Sequence, residues 1–300
     1  VLGVVTEAAA SLPEPAPLAG LDRTLVLGGW QQVGDIIAAQ RPRRIVIAMQ
    51  DRRQHLPFAP LIAARTAGVK IEEAPTLFER ITGRVALHSV RPSWFLLADG
   101  FRQSRLLRIY QRITNLAGAS LGLLLASPLL LLVAVAIKLD SPGPVIYRQT
   151  RVGRGGRPFE ILKFRSMRAD AEKASGPVWA QARDPRITRL GAWLRTLRFD
   201  ELPQLWNVLR GDMSFVGPRP ERPVFVEQFR ESIPYYDVRH SVRPGITGWA
   251  QVNRDYGASL EDAREKLEFD LFYIKNLSVW LDLFILFQTT KIIALGRGAR

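Results

Sequence analysis

Asp200 and Glu201 are adjacent carboxylates in a basic neighbourhood. Arg186, Arg189, Arg195 and Arg198 precede them, and Gly217-Pro218-Arg219-Pro220 follows after a helical pattern. Free carboxyls titrate near 4, so both are charged at neutral pH unless strongly perturbed. Side by side they repel, and arginines, a divalent cation or both offset that repulsion. An ionised Asp can attack phosphorus and form an aspartyl-phosphate. Glu201 can hold Mg²⁺, which favours oxygen ligands, keeps substrate phosphates in its shell and neutralises charge developing on their oxygens. Arg165, Arg195 and Arg219 are candidate phosphate clamps, because guanidinium grips such oxygens in pairs. The proline-bracketed Arg219 would be presented on a stiff, extended backbone. An isolated Asp-Glu pair is usually a solvated helix start, and only the surrounding arginines turn this one towards phosphate and metal.

The rest of the composition removes other chemistries. The chain has no cysteine, which excludes disulfides, thiolate metal sites and cysteine nucleophiles. Its three histidines, His55, His88 and His240, are far apart, and no H-E-x-x-H spacing occurs. The net charge of +14 is uneven, with 12 Lys/Arg against 2 Asp/Glu in residues 101–168. That segment also holds the longest apolar run, so anionic lipid headgroups are the first reading of the charge. No helix-turn-helix, zinc finger or RNA-binding signature accompanies it, which argues against nucleic acid.

The elements that must position the dyad fall into two parts. Residues 1–100 alternate β-branched runs (Val1 to Val5, Thr24 to Leu27, Arg44 to Met49, Val69 to Glu72) with helical stretches (Trp30 to Ala39, Leu56 to Ala67, Thr76 to Ile81). Strands separated by helices predict βαβ units and a parallel, Rossmann-like sheet in an α/β fold. No G-x-G-x-x-G is present, so a regulatory or scaffolding role is favoured over nucleotide binding. The chain opens directly on a strand at Val1, which reads as entry into that domain partway through.

Residues 101–300 form the second predicted domain. Phe101 to Arg112 reads as an amphipathic surface helix, with Arg102, Arg105, Arg108 and Arg112 at three- and four-residue steps. From Leu116 to Ile137 the chain is almost purely apolar, long enough to span a bilayer. Ser127-Pro128 sits near its midpoint, where proline predicts a kink. Basic residues flank both ends, and the positive-inside rule then sets both ends in the cytoplasm. A re-entrant helix over about residues 113–138, broken at Ser127 and Pro128, satisfies that condition where a single span does not. Beyond it, Val145 to Tyr147 and Phe159 to Phe164 predict a β-hairpin around Gly153 to Gly156, residues 169–180 a loop, and Leu271 to Leu295 surface-lying helices.

The chain resembles the monotopic phosphoglycosyl transferases, the bacterial polyprenyl-phosphate sugar phosphotransferases. The resemblance runs in order through Tyr147-Arg148-Gln149-Thr150-Arg151-Val152-Gly153, Lys163-Phe164-Arg165-Ser166-Met167, Asp184-Pro185-Arg186-Ile187-Thr188, Asp200 to Pro220, and Arg243-Pro244-Gly245-Ile246-Thr247-Gly248-Trp249-Ala250-Gln251-Val252-Asn253. Tyr256 onwards is similar to the exopolysaccharide-associated branch, whose longer members carry a Rossmann-like domain before the catalytic part. The resemblance implies a mainly helical catalytic domain with a re-entrant membrane helix, Asp200 as nucleophile and Glu201 at Mg²⁺. It implies Lys163, Arg165 and Arg195 near phosphate, Arg219 and Pro220 near the nucleotide, and Arg243 among the substrate-binding residues. Arg254-Asp255-Tyr256 departs from the glycine that often follows Val252-Asn253, and with it the lining of the sugar pocket.

The implied reaction moves a sugar-1-phosphate from a UDP-sugar to undecaprenyl phosphate, with UMP released, on the cytoplasmic face of a bacterial inner membrane. Membrane lipid is an expected partner, nucleic acid is not, and homo-oligomerisation stays open. One rival is a glycosyltransferase releasing UDP, weakened because no Asp-x-Asp occurs in the chain. The other is a non-catalytic membrane scaffold that senses nucleotide sugars through residues 1–95.

Overall fold

The computed structural model describes residues 3–6, 26–49, 56–90, 94–95, 98, 100–101, 104–168, 171, 184–254, 257 and 259–295. The expected strand starts at Val1 and Thr24, Arg102, the 169–180 loop apart from residue 171, and Asp255-Tyr256 lie outside them. Two compact units divide the chain, Val1–Gly83 and Arg84–Arg300.

The first unit holds β1 (Val4–Thr6), β2 (Val26–Gly29), α1 (Val33–Gln40), β3 (Arg44–Ile47), α2 (Phe58–Thr66), β4 (Lys70–Glu73) and α3 (Ala74–Thr82). The alternation of strand and helix is as expected, and a single Rossmann-like sheet is not seen among the described residues. Among the described residues β1 pairs in parallel with β2 and β3 with β4, as two separate two-stranded sheets. For β3 and β4 the parallel pairing follows from the crossover through α2. Joining the pairs would need a β-strand contact between them that the described strands do not make. Glu72 on β4 is buried against a fork from Arg80, both contacts at 2.8 Å.

The second unit opens with α4 (Arg105–Asp140), one helix of 36 residues. The separate amphipathic helix expected up to Arg112 is its first two turns. Ser104 caps it, accepting from the Leu107 amide at 3.0 Å. Helical backbone runs through Pro128, so the expected break is not a gap in the helix. Proline has no N–H to offer the carbonyl four residues back. Here the Ser127 hydroxyl donates to that same Leu124 carbonyl at 2.7 Å. The Ser-Pro pair thus opens a weak point in the backbone ladder and satisfies the acceptor it frees.

One face of α4 packs on the rest of the unit along both arms. Asn115, Gly118, Ala119 and Gly122 meet α6 (Gln204–Arg210) and β7 (Ser214–Val216): Asn115 exchanges hydrogen bonds with Ser214, and Ala119 joins Ile161, Val208 and Met213 in one buried cluster. On the other arm Val133 and Ile137 are buried with Phe164 and Leu194. The opposite face exposes Leu121, Leu124, Leu125, Leu131, Leu132 and Val135. The most apolar window of the helix is only 11% buried. A core helix would bury this surface, and a water-facing one would not carry it. It is the one described helix long and apolar enough to cross a membrane.

The hairpin β5 (Ile146–Val152) and β6 (Pro158–Phe164) is antiparallel in register from Ile146 with Phe164 to Val152 with Pro158, turning at Gly155 and Gly156. α5 (Arg189–Thr196) and α6 follow it. Then come β7, α7 (Pro223–Ser232), β8 (Gly245–Thr247), α8 (Trp249–Asn253), α9 (Leu260–Lys275) and α10 (Val279–Ala294). The main core joins Phe225, Val226 and Phe229 of α7 to Leu267 and Leu271 of α9. Trp193, Trp206, Trp280 and Phe287 remain exposed, an aromatic complement suited to a lipid–water boundary.

Candidate active site

The dyad sits on a single 3₁₀ turn, Phe199–Glu201, between α5 and α6. Arg198 makes the turn possible by adopting φ +56°, a left-handed conformation rare outside glycine. Such residues cost stability and cluster at functional sites. With three residues per 3₁₀ turn, consecutive side chains point about 120° apart. The two carboxylates therefore face different surroundings despite being neighbours.

Glu201 is enclosed by cations. Its Oε1 accepts from Lys163 Nζ at 3.1 Å and from Arg219 Nη2 at 2.9 Å, and Arg198 stands 3.9 Å from Oε2. Burial alone would raise its pKa, but Arg219 and Lys163 outweigh that and hold it well below the usual carboxylate range. Asp200 is buried, and no described side chain bonds or pairs with it. Burial raises its pKa against the pull of Lys163, Arg195 and Arg219, and the charge of Glu201 pushes the same way as burial. One carboxylate is thus locked by ion pairs, and the other faces positive charge without being consumed by it.

Three elements bring the cations in. Lys163 projects from β6, and burial lowers its pKa against the opposing charge of Glu201. Asn207 of α6 holds that strand in place, donating to the Glu160 carbonyl at 2.7 Å and accepting from the Leu162 amide at 3.0 Å. Arg195, in the last turn of α5, has a buried Nη1 with no partner. An unsatisfied buried donor is costly unless a ligand completes it. Gln204, the first residue of α6, has a buried Nε2 in the same condition.

Arg219 depends on close backbone packing. Gly217 and Gly245 lie where β7 and β8 cross, with Gly217 N donating to Thr247 O at 2.9 Å and Gly245 N to Pro218 O at 3.0 Å. A Cβ on either glycine would run into the other strand's backbone. Two arginines then pin the end of the segment: Arg239 Nη2 donates to Arg219 O at 3.0 Å and Arg151 Nη1 to Pro220 O at 2.9 Å. Arg239 is itself buried against Asp270 at 2.8 Å.

Lys163, Arg195, Asp200, Glu201 and Arg219 are therefore brought together, with Pro220 adjoining. Arg165 and Arg243 are not part of this group. Arg165 donates to Pro142 O at 2.8 Å and to Ser141 O at 2.6 Å, tying β6 to the end of α4. Its two Nη groups bond peptide carbonyls where the helix stops, while its buried Nε has no partner among the described residues. Arg243 lines a cavity at the other end of α6. Gln204, Asn207 and Arg239 are contributors that motif reading did not single out, and Arg198 was read only as one charge in the basic segment. The left-handed Arg198 and the 31-residue reach of Arg239 to Asp270 leave no local pattern to find.

Among the described residues no three His, Asp or Glu side chains cluster as a metal site. The donor set still fits Mg²⁺, which takes one or two carboxylates and fills its remaining positions with water and substrate phosphates. Asp200 has no partner to displace, whereas Glu201 would offer Oε2, its less engaged oxygen.

Residues 106–296 match the family described as bacterial sugar transferase. The chain is 46% identical over 234 residues to the UDP-N-acetylgalactosamine-undecaprenyl-phosphate N-acetylgalactosaminephosphotransferase of Aeromonas hydrophila, covering 78% of this chain and 54% of that protein. It is 49% identical over 184 residues to the UDP-glucose:undecaprenyl-phosphate glucose-1-phosphate transferase of Escherichia coli K12, covering 61% and 39%. It is 43% identical over 195 residues to the exopolysaccharide production protein PSS of Rhizobium leguminosarum, covering 63% and 97%. The chain spans about half or less of the length of the first two of these relatives. With nearly two thirds of its length in the match, and the dyad, Lys163 and Arg219 all inside it, the chain belongs to the bacterial sugar transferase family.

Proposed function

We propose that the chain transfers a sugar-1-phosphate from a UDP-sugar to undecaprenyl phosphate and releases UMP, through a phosphosugar carried on Asp200. The observation that carries this reading is the division of the dyad. Among the described residues Asp200 has no bonding partner yet faces Lys163, Arg195 and Arg219, while Glu201 Oε1 is held by Lys163 and Arg219. A nucleophilic carboxylate needs this: ionised by neighbouring charge, but free to form a bond. The Asp200 oxygen attacks the sugar-linked phosphorus and the bond to the UMP oxygen breaks. The lipid phosphate then attacks the same phosphorus and restores the carboxylate. Arg195 Nη1 and Gln204 Nε2 supply donors for the diphosphate oxygens. Arg219 stands between Glu201 and the nucleotide. Mg²⁺ held through Glu201 would neutralise charge on the diphosphate.

The relatives' names support the substrates: two of them act on UDP-sugars and undecaprenyl phosphate, with different sugars. The name of a third supports a place in exopolysaccharide production. Membrane seating is supported by α4. A span from Asn115 to Ile137 would cover about 33 Å at 1.5 Å per residue, about one hydrocarbon thickness. Both residues, however, pack against the same unit. A helix that enters and leaves one leaflet, bent at Ser127-Pro128, reconciles an apolar outer face with two polar-side ends. Basic residues at both ends favour the cytoplasmic face of the inner membrane.

The deciding experiment offers the protein a panel of UDP-sugars with a polyprenyl phosphate and reads UMP. Release of UMP with formation of lipid-linked sugar diphosphate is expected for one sugar. Release of UDP would assign the glycosyltransferase alternative, and no turnover with any donor would leave the scaffold reading.

A further inference from the structure

A cavity of about 320 Å³ lies at the amino-terminal arm of α4 and is lined by five arginines: Arg105, Arg108, Arg112, Arg154 and Arg243. Among the described residues no acidic side chain lines it. Among the described residues Arg105, Arg108, Arg154 and Arg243 form no ion pair. Arg112 spends its fork on the carbonyls of Val208 and Leu209. Asp282 stands behind the wall, but its oxygens are taken by Gln111 at 2.9 Å and Tyr273 at 2.8 Å. Burial lowers the pKa of Arg243, and repulsion from Arg154 and Arg112 adds to it. Like charges gathered in a concave site and left uncompensated attract an anion.

This cavity is separate from the dyad. Arg112 touches the carboxyl-terminal end of α6, and the dyad precedes its amino-terminal end. Seven helical residues set the two about 10 Å apart along that axis. Neither Lys163, Arg195, Asp200, Glu201 nor Arg219 lines the cavity.

We propose that this cavity binds the phosphate of an anionic phospholipid headgroup. The source of the phosphate is read from what surrounds the mouth. Arg105 and Arg108 project from α4, whose intervening Leu106, Ile109 and Tyr110 are exposed and continue into the apolar outer face of the helix. Ile109, Val242 and Leu277 complete the wall. A phosphate tethered to acyl chains satisfies both surfaces at once: its charge meets the arginines and its chains lie along α4. A free phosphate meets only the first. The headgroup would fix the depth and rotation of α4 in the leaflet. The inference uses the membrane seat of α4 but not the transfer reaction.

The test needs no sugar donor. Purified protein in a neutral detergent is titrated with dihexanoyl phosphatidylglycerol, dihexanoyl phosphatidylcholine or glycerol phosphate while its thermal unfolding is followed. Phosphatidylglycerol is expected to raise Tm saturably and phosphatidylcholine not to. Arg108→Gln and Arg154→Gln, both at exposed positions where folding is spared, should each weaken the phosphatidylglycerol midpoint about fivefold, the factor for about 1 kcal/mol per basic residue. Equal responses to the two lipids, or an unchanged midpoint in both variants, overturns the site. Glycerol phosphate matching phosphatidylglycerol overturns the lipid as its source.

Discussion

Arg219 donates to Glu201 at 2.9 Å across 18 residues of chain, and Lys163 reaches the same oxygen at 3.1 Å from β6. Removing one member of a buried ion pair leaves its partner uncompensated, at a cost of about 3 kcal/mol or more when burial is complete. Lys163 and Arg219 retain some solvent contact, so a smaller cost is expected here. Glu201→Gln should lower Tm, and Lys163→Met combined with it should cost clearly less than the two single changes added. A double-mutant cycle by thermal unfolding measures this. Strict additivity within about 0.5 kcal/mol would mean that the pair is not coupled.

Asp200→Asn keeps the shape of the side chain and removes its charge. Turnover should fall by several orders of magnitude, as for other lost nucleophiles. Wild-type protein given donor without lipid should carry a phosphosugar on Asp200, seen by intact mass, with ping-pong kinetics. Because burial raises the Asp200 pKa above 3.8 and the ionised form reacts, kcat/KM for the donor should rise with pH through a value above that of an ordinary aspartate. Intersecting double-reciprocal plots without an adduct would reassign Asp200 as a base or a metal ligand.

Chelation tests the role given to Glu201 and Mg²⁺. EDTA should abolish turnover and added Mg²⁺ should restore it. Undiminished UMP release in EDTA would leave Lys163, Arg195 and Arg219 to neutralise the diphosphate unaided.

His240 is buried beside Arg239, and burial with that charge lowers its pKa to about 4. The unfolded histidine takes up a proton below about 6.5, whereas the folded one does so only near 4. Between those values the unfolded chain binds more protons, so stability falls as pH falls. Wild-type Tm should drop from pH 7 to pH 5 by more than that of His240→Gln. Equal drops would show that His240 is not the group responsible.

The topology of α4 is open to labelling. Arg105→Cys and Arg148→Cys should both react with a membrane-impermeant reagent from the cytoplasmic side alone. Pro128→Leu restores the missing backbone donor and should shift the segment towards a full span, exposing one of the two cysteines outside. Labelling of the two cysteines from opposite sides in the protein that retains Pro128 would reject the re-entrant seat.

Sequence alone determined what depends on local geometry. The apolar run of α4, the hairpin around Gly155, the alternation of strands and helices and the adjacency of Asp200 and Glu201 are all written in periodicity and residue type, because φ/ψ preference and side-chain direction act over a few residues. Tertiary structure decided what depends on where distant segments cross. It divided two equivalent-looking carboxylates into one locked by Lys163 and Arg219 and one left free. It sent Arg165, a candidate phosphate clamp, to the end of α4 and Arg243, an expected substrate-binding residue, to a cavity of its own. It set the Ser127 hydroxyl on the carbonyl that Pro128 abandons. Arginine side chains are long and carry the same charge wherever they go, so their partners are chosen by packing, which no spacing in the chain encodes.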